Sequence, residues 1–201
     1  MYIYKVINAE SMSDEAYSAC LPYLSEGRRE RVYRLKLLLP KKLSAAGDLL
    51  ARGLAADFID VSKDSLLIKS DENGKPYIEG CPVHISISHS GSYALAAASD
   101  MPIGADIERI RAVKKKVAAH VLSDGELEYV LHDESLYNKR IIKLWTMKEA
   151  YGKMTGHGVF KKERFTALIK DNELVLNYDT CRFSFPAAPE GYVICVCEKQ
   201  P

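Results

Sequence analysis

One order of elements runs twice along this chain, and that repetition constrains the fold more than any single motif. Residues 2–7 read as a first strand. A helical stretch over residues 13–36 follows, with a break near 24–27. A long helix with Pro40 in its first turn then runs to about Phe58. Short strands are predicted at 65–69, 83–88 and 93–98, with Asn73-Gly74-Lys75 ahead of Pro76 as a turn. The second half returns to the same order. It has a strand at 103–110, helices at 123–132 and 135–155 with Gly156 closing the latter, and strands at 165–170, 173–178, 182–185 and 192–198. Identity between the halves is weak, so the order of elements carries the argument. It predicts an α+β pseudo-dimer of two similar halves, residues 1–100 and 101–201, each with a long helix packed on a small antiparallel sheet. A ligand site is expected at the seam between them.

Charge and cysteine usage narrow the function classes. A formal net charge of +1 excludes a broad basic surface for nucleic acid. No apolar run reaches the length of a membrane span, and MYIYKVINAE lacks the basic start and long apolar core of a signal peptide. Cys20, Cys81, Cys181, Cys195 and Cys197 are odd in number and form no CxxC pair. Neither a disulfide framework nor a zinc knuckle is indicated, and free thiols fit a cytoplasmic protein without membrane or nucleic-acid partners.

Four stretches hold the residues that can do chemistry. In Gly104-Ala105-Asp106-Ile107-Glu108, strand alternation sends Asp106 and Glu108 to one side and Ala105 and Ile107 to the core. Two acids so placed suit a hard divalent cation, or else a solvated face paired with lysines. In the helical stretch Trp145-Thr146-Met147-Lys148-Glu149-Ala150-Tyr151-Gly152-Lys153, residues Trp145, Glu149 and Lys153 share a face, either as a third acid with a lysine or as a surface ion pair. His84-Ile85-Ser86-Ile87-Ser88-His89-Ser90 ends a strand with small polar groups that can hold phosphate; a Ser-His-Asp triad lacks the GxSxG elbow. Arg28, Arg29, Arg31, Arg34, Lys36, Lys41 and Lys42 make a basic run, either phosphate-binding forks or a solvated face.

Taken in order, these stretches resemble the phosphopantetheinyl transferase family in its Sfp-like class. The pieces are Asn73-Gly74-Lys75-Pro76, Ile87-Ser88-His89-Ser90, Ile103 to Glu108, and Trp145 to Lys153, with Gly47 to Arg52 similar to the family's first long helix. The likeness spans roughly residues 28–153. It implies transfer of the 4'-phosphopantetheine arm of coenzyme A to a serine of an apo acyl or peptidyl carrier protein, with release of 3',5'-ADP. Mg2+, or Mn2+ in its place, is implied on Asp106, Glu108 and Glu149. The resemblance also implies Glu149 as general base, Lys153 on the leaving phosphate, and Arg28, Arg31, Ser44, Lys75, Pro76, Ser88 and His89 as coenzyme contacts. Ala105 and Ser86 depart from the commoner family residues without removing a charged ligand. A monomer is expected, because one chain with two halves completes its own site. Lys114, Lys115 and Lys116 are expected either to meet an acidic helix of the carrier or to line a solvated loop. Two rivals stand beside this reading. One is another Mg2+-dependent phosphate enzyme, disfavoured by the absence of a Walker or kinase glycine loop. The other is a non-catalytic module of the same fold, which loss of an acid would mark.

Overall fold

The computed structural model describes residues 1–158 and 165–201. Its elements, in chain order, are β1 (Tyr2–Asn8), α1 (Asp14–Cys20), α2 (Glu26–Arg34), α3 (Leu38–Ile59), β2 (Ile68–Ser70), β3 (Pro76–Ile78), β4 (His84–Ser90) and β5 (Tyr93–Ser99). The second series is β6 (Ile103–Arg109), α4 (Lys115–Val121), α5 (Asp124–Leu131), α6 (Tyr137–Thr155), β7 (Ile169–Lys170), β8 (Glu173–Leu174), β9 (Cys181–Ser184) and β10 (Tyr192–Lys199).

Two three-stranded antiparallel sheets form, with orders β1-β5-β4 and β6-β10-β9. In each, the last strand of its series lies in the middle, flanked by the first. The two topologies are therefore the same, and the protein is an α+β pseudo-dimer. Strand β5, Tyr-Ala-Leu-Ala-Ala-Ala-Ser, is buried on both faces and so lacks a polar face. Its Ala96 and Ala98 pack with Ala51, Leu54 and Ala55 of α3. Its Leu95 and Ala97 pack with Ile103, Ala105, Ile107, Ile194 and Val196 of the other sheet. On the far face of that sheet, Cys195 and Cys197 pack with Leu144, Met147 and Ala150 of α6. The layers thus run helix, sheet, sheet, helix, with one core shared by the halves.

Side chains stitch the two sheets where their edge strands β4 and β6 meet. Ile85 and Ile87 face α3, while the alternate residues Ser86, Ser88 and Ser90 face β6. Ser86 Oγ accepts from Ala105 N at 2.9 Å, Ser88 Oγ donates to Asp106 at 2.6 Å, and Ser90 Oγ donates to Glu108 at 2.8 Å. Three hydroxyls do here what a backbone ladder does within a sheet. At the opposite junction, β1 meets β9: the Tyr2 hydroxyl and Ser184 Oγ are 2.6 Å apart, and Tyr4 donates to Ala187 O at 3.2 Å.

Several expected boundaries move, each for a local reason. The strand predicted at 165–170 is reduced to Ile169–Lys170. Phe165 O is taken by Lys148 and Ala167 N by Glu126, so those backbone groups have side-chain partners rather than a neighbouring strand. The strand predicted at 65–69 begins only at Ile68, because Ser65 N and Leu66 N bond back to Ser62 O and Lys63 O in tight turns. Pro76, expected just after the Asn73-Gly74-Lys75 turn, opens β3, a strand not predicted, where a first position needs no donor. Helix α4 was not foreseen. Its short sequence buries only Ala118, too little to give a helical period.

Candidate active site

Strand β6 and helix α6 approach more closely than any side chain would allow. A Cβ on Gly104 would stand 1.9 Å from Ala150 O and 2.3 Å from Met154 N. Gly104, Asp106 and Glu108 alternate along the α6-facing side of β6, while Ala105 and Ile107 enter the shared core as the pattern requires. Glycine at 104 lets the strand carry Asp106 up to the face of α6 that bears Lys153.

Asp106, Ser88 and Lys153 form a closed triangle across the seam. Lys153 Nζ donates to Asp106 Oδ1 and to Ser88 Oγ, both at 2.7 Å, and Ser88 donates to the same Asp106 oxygen. The ion pair foreseen as an alternative between Glu149 and Lys153 is not what Lys153 makes; it crosses to the strand instead. The second oxygen, Asp106 Oδ2, is buried without a hydrogen-bond partner. Glu108 accepts from Ser90 and lies 3.9 Å from Arg111.

Glu149 lines a cleft of about 200 Å³ together with Lys153, Gly152, Gly156, Ser86, Ile87, Asn73, Gly74, Lys75 and Pro76. Both halves supply its wall. Burial first, and then the charge of Asp106, push the Glu149 carboxyl up to about 7; Lys153 opposes this and Glu108 adds to it.

Among the described residues, no three His, Cys, Asp or Glu side chains form a ready-made metal cage. The donor set nevertheless fits a hard cation. A buried carboxylate oxygen without a donor, beside a carboxyl reluctant to ionise, is the environment that a divalent ion relieves.

The other expected residues divide into groups. Lys75 lines the cleft, but its Nζ donates to Met154 O at 2.6 Å, capping the last turn of α6. Pro76 lies on the same wall. Arg28 and Ser44 sit together away from that wall: Arg28 Nε pairs with the buried Asp48 at 3.2 Å, and its Nη1 donates to Ser44 Oγ at 3.4 Å. Arg31 is exposed. His89 links the groups electrostatically, since partial burial and then Lys153, Arg31 and Arg28 hold its imidazole below the usual range. Sequence reasoning gave no role to Ser86, Lys148 or Glu126, and it read Ser90 as a phosphate-holding group where the structure turns its hydroxyl to Glu108. Serine at every second position, 86, 88 and 90, between Ile85, Ile87 and His89, was the available signal.

Known proteins resemble this chain over nearly its full length. The family model for the 4'-phosphopantetheinyl transferase superfamily matches residues 102–197, and that for the 4'-phosphopantetheinyl transferase N-terminal region matches residues 11–101. The 4'-phosphopantetheinyl transferase gsp of Aneurinibacillus migulanus is 30% identical over 168 residues, 77% of this chain and 67% of that protein. This chain belongs to the 4'-phosphopantetheinyl transferase superfamily. Psf-1 of Bacillus pumilus is 27% identical, covering 90% of this chain and 81% of its own. Sfp of Bacillus subtilis (strain 168) is 26% identical, covering 100% and 93%. These relatives set the chain in the Sfp-like class of the superfamily. A crystal structure of a holo-(acyl-carrier-protein) synthase from Bacillus anthracis str. Ames, in complex with CoA (3',5'-ADP), overlays 48% of this chain and 91% of its own with 23% identity and a TM-score of 0.41.

The raised Glu149 carboxyl of this superfamily member has a consequence for stability. Its ordinary value is 4.5 and its folded value about 7, so without divalent cations the folded state keeps a proton that the unfolded state releases. Stability therefore falls as pH rises through that window, and the cost is complete above it. Glu149→Gln imitates the protonated form. In a chelator at about pH 8 it should be more stable than the parent by about 1–2 kcal/mol, after discounting for solvent screening of a partly exposed group. Near pH 4 the two should unfold together. Thermal unfolding at both pH values measures this, and equal melting at the higher pH contradicts it.

Proposed function

We propose that this protein transfers the 4'-phosphopantetheine moiety of coenzyme A to a serine of an apo acyl or peptidyl carrier protein, releasing 3',5'-ADP. The observation that carries this reading is the Lys153–Asp106–Ser88 triangle joining the halves beside Glu149 at the cleft. Membership of the superfamily supplies the reaction class.

In that reaction the serine oxygen bonds to the β-phosphorus of coenzyme A, and the bond from that phosphorus to the bridging oxygen breaks. Glu149, on the cleft wall beside Lys153, is placed to take the hydroxyl proton. Lys153, held by Asp106 and Ser88, offers ammonium hydrogens to the departing phosphate. Asp106, Glu108 and Glu149 would hold Mg2+, or Mn2+ in its place, which when bound supplies neutralising charge to the pyrophosphate. Lys75 and Pro76 wall the cleft, while Arg28, Arg31, Ser44, Ser88 and His89 are assigned to the rest of the coenzyme. We assign residues 1–100 chiefly to the coenzyme and residues 101–201 to the acids and the carrier. One chain carries both halves of the site, which supports a monomer. Five free cysteines support a reducing cytoplasm, and no described helix is long and apolar enough to cross a membrane.

Incubation with an apo carrier protein, coenzyme A and Mg2+, followed by mass spectrometry, tests the reading. A carrier heavier by one phosphopantetheine is expected. An unmodified carrier across fatty-acid, polyketide and peptide types overturns it.

Arg31 gives a sharper test of coenzyme recognition than Arg28, whose removal would also strand the buried Asp48. Arg31→Ala should reduce the preference for coenzyme A over its dephospho form by about tenfold, in line with loss of one charge-assisted contact. Competing the two coenzymes measures it, and an unchanged ratio places the 3'-phosphate elsewhere.

Carrier docking is assigned to the basic run before and into α4. Lys115 is already engaged with Glu134 at 3.3 Å, whereas Lys114 and Lys116 are exposed. Reversing both, Lys114→Glu with Lys116→Glu, should raise KM for carrier about tenfold at low salt, with KM for coenzyme A unchanged. An unchanged carrier KM removes this surface from the reading.

A further inference from the structure

The transfer reaction makes no use of the ion pair between Lys148 and Glu126, which lies inside the second half. Lys148 Nζ is 2.7 Å from Glu126 Oε1 and also donates to Phe165 O at 2.7 Å. Glu126 is 0% exposed. Its Oε1 accepts from Ala167 N at 2.7 Å, and its Oε2 accepts from Ser123 N at 2.9 Å, completing a capping box at the start of α5. Both carboxylate oxygens are therefore engaged.

A buried pair of this kind is seldom better for stability than well-packed apolar residues of similar volume. What it does supply is direction, because charge-assisted bonds tolerate little displacement. Lys148 immediately precedes Glu149 on α6. At about 100° per residue, Lys148 points about 140° away from Lys153 around the helix axis, and Glu149 points about 40° from Lys153. Two ion pairs therefore grip α6 from different sides, Lys153 to β6 and Lys148 to α5. The contact of Gly104 with Ala150 and Met154 fixes how far the helix stands from the strand. Distance and rotation are separately determined, and Glu149 lies between the two grips.

We infer that Lys148 is a positioning residue for Glu149: its bond to Glu126 sets the rotation of α6 and so keeps the Glu149 carboxylate turned to the cleft. The inference rests on the transferase reading. It assigns the lysine of the Lys148-Glu149-Ala150 stretch to geometry rather than to phosphate, since its ammonium group is turned into the fold.

The test is the neutral double variant Glu126→Gln/Lys148→Met. Gln keeps the capping box with its single acceptor oxygen, giving up the bond from Ala167 N, and no unpaired charge is left buried. Expected are a folded protein with a melting temperature modestly below the parent, an unchanged coenzyme A dissociation constant, a kcat per folded molecule lower by about 10–100-fold, and faster amide exchange along α6 and at Ala167. A folded double variant with unchanged kcat overturns the inference, as does one whose loss is entirely in KM. Should the double variant fail to fold, Lys148→Arg, which keeps the buried charge paired but alters its reach, is measured against the same outcomes. If the parent protein shows no transfer, the transferase reading has failed. Amide exchange then decides, and unchanged exchange along α6 overturns the inference as well.

Discussion

Asp106→Ala is expected to lower turnover by a factor on the order of 10³ while leaving the protein folded. The substitution removes the partner that holds Lys153 against Ser88, together with the one buried oxygen in the cluster that lacks a donor. It also removes a negative charge that raises the Glu149 carboxyl, so like-charge repulsion falls. Lys153 keeps its bonds to Ser88 Oγ and Ala105 O and remains near Glu149 as a counter-charge. Function and stability should thus separate in one variant. Turnover against Mg2+ concentration, with thermal unfolding alongside, makes the comparison. Near-normal turnover would end the case for the acid cluster, and so would a wild-type rate untouched by chelating all divalent ions.

Gly104→Ala should have the opposite character, with a large loss of stability that takes activity with it. One methyl group would meet the Ala150 carbonyl at 1.9 Å, and neither that oxygen nor the Met154 nitrogen belongs to a flexible side chain that could step aside. Helix α6 must retreat or β6 must buckle, at a cost of about 3 kcal/mol or more. Glu149 and Lys153 ride on the helix and Asp106 on the strand, so residual folded protein should also be poorly active. Gly53→Ala is the control. Nothing lies within 4 Å of its added carbon, and in the middle of α3 alanine should stabilise by about 0.5–1 kcal/mol. Denaturant titration of the two variants, with turnover per folded molecule, checks the contrast; equal stabilities would show that the close approach is not limiting.

What the sequence made legible was whatever depends on local period. Alternation along β6 sent Asp106 and Glu108 one way, and Pro40 and Gly156 marked the ends of the long helices. The repeated order of elements foretold two sheets of like topology. What stayed hidden depends on partners distant in the chain. By spacing alone Lys153 looked better suited to pair with Glu149, four residues away, and the close approach at Gly104 gives it to Asp106 instead. Lys75 looked like a phosphate ligand, and nothing nearby in sequence discloses the Met154 carbonyl it caps. Likewise, Phe165 and Ala167 have strand-like neighbours but surrender their backbone bonds to Lys148 and Glu126.

The paired halves create two junctions where a sheet edge of one meets a sheet edge of the other, and the two have diverged in kind. At β4 with β6, hydroxyls grip acids, and Asp106 Oδ2 remains without a hydrogen-bond partner. At β1 with β9, Tyr2 grips Ser184 and Tyr4 grips a main-chain carbonyl, with no carboxylate in those bonds. The first junction is electrostatically unfinished and must tolerate strain from its own charges; the tyrosine bonds of the second are neutral, and the nearby Glu198 is paired by Ser99, the N-terminus and Arg182. Pseudo-symmetry thus divides labour between equivalent places in one molecule. Substitutions that tighten the tyrosine clasp can strengthen the union of the halves without touching the charged side, so robustness and chemistry can be tuned independently.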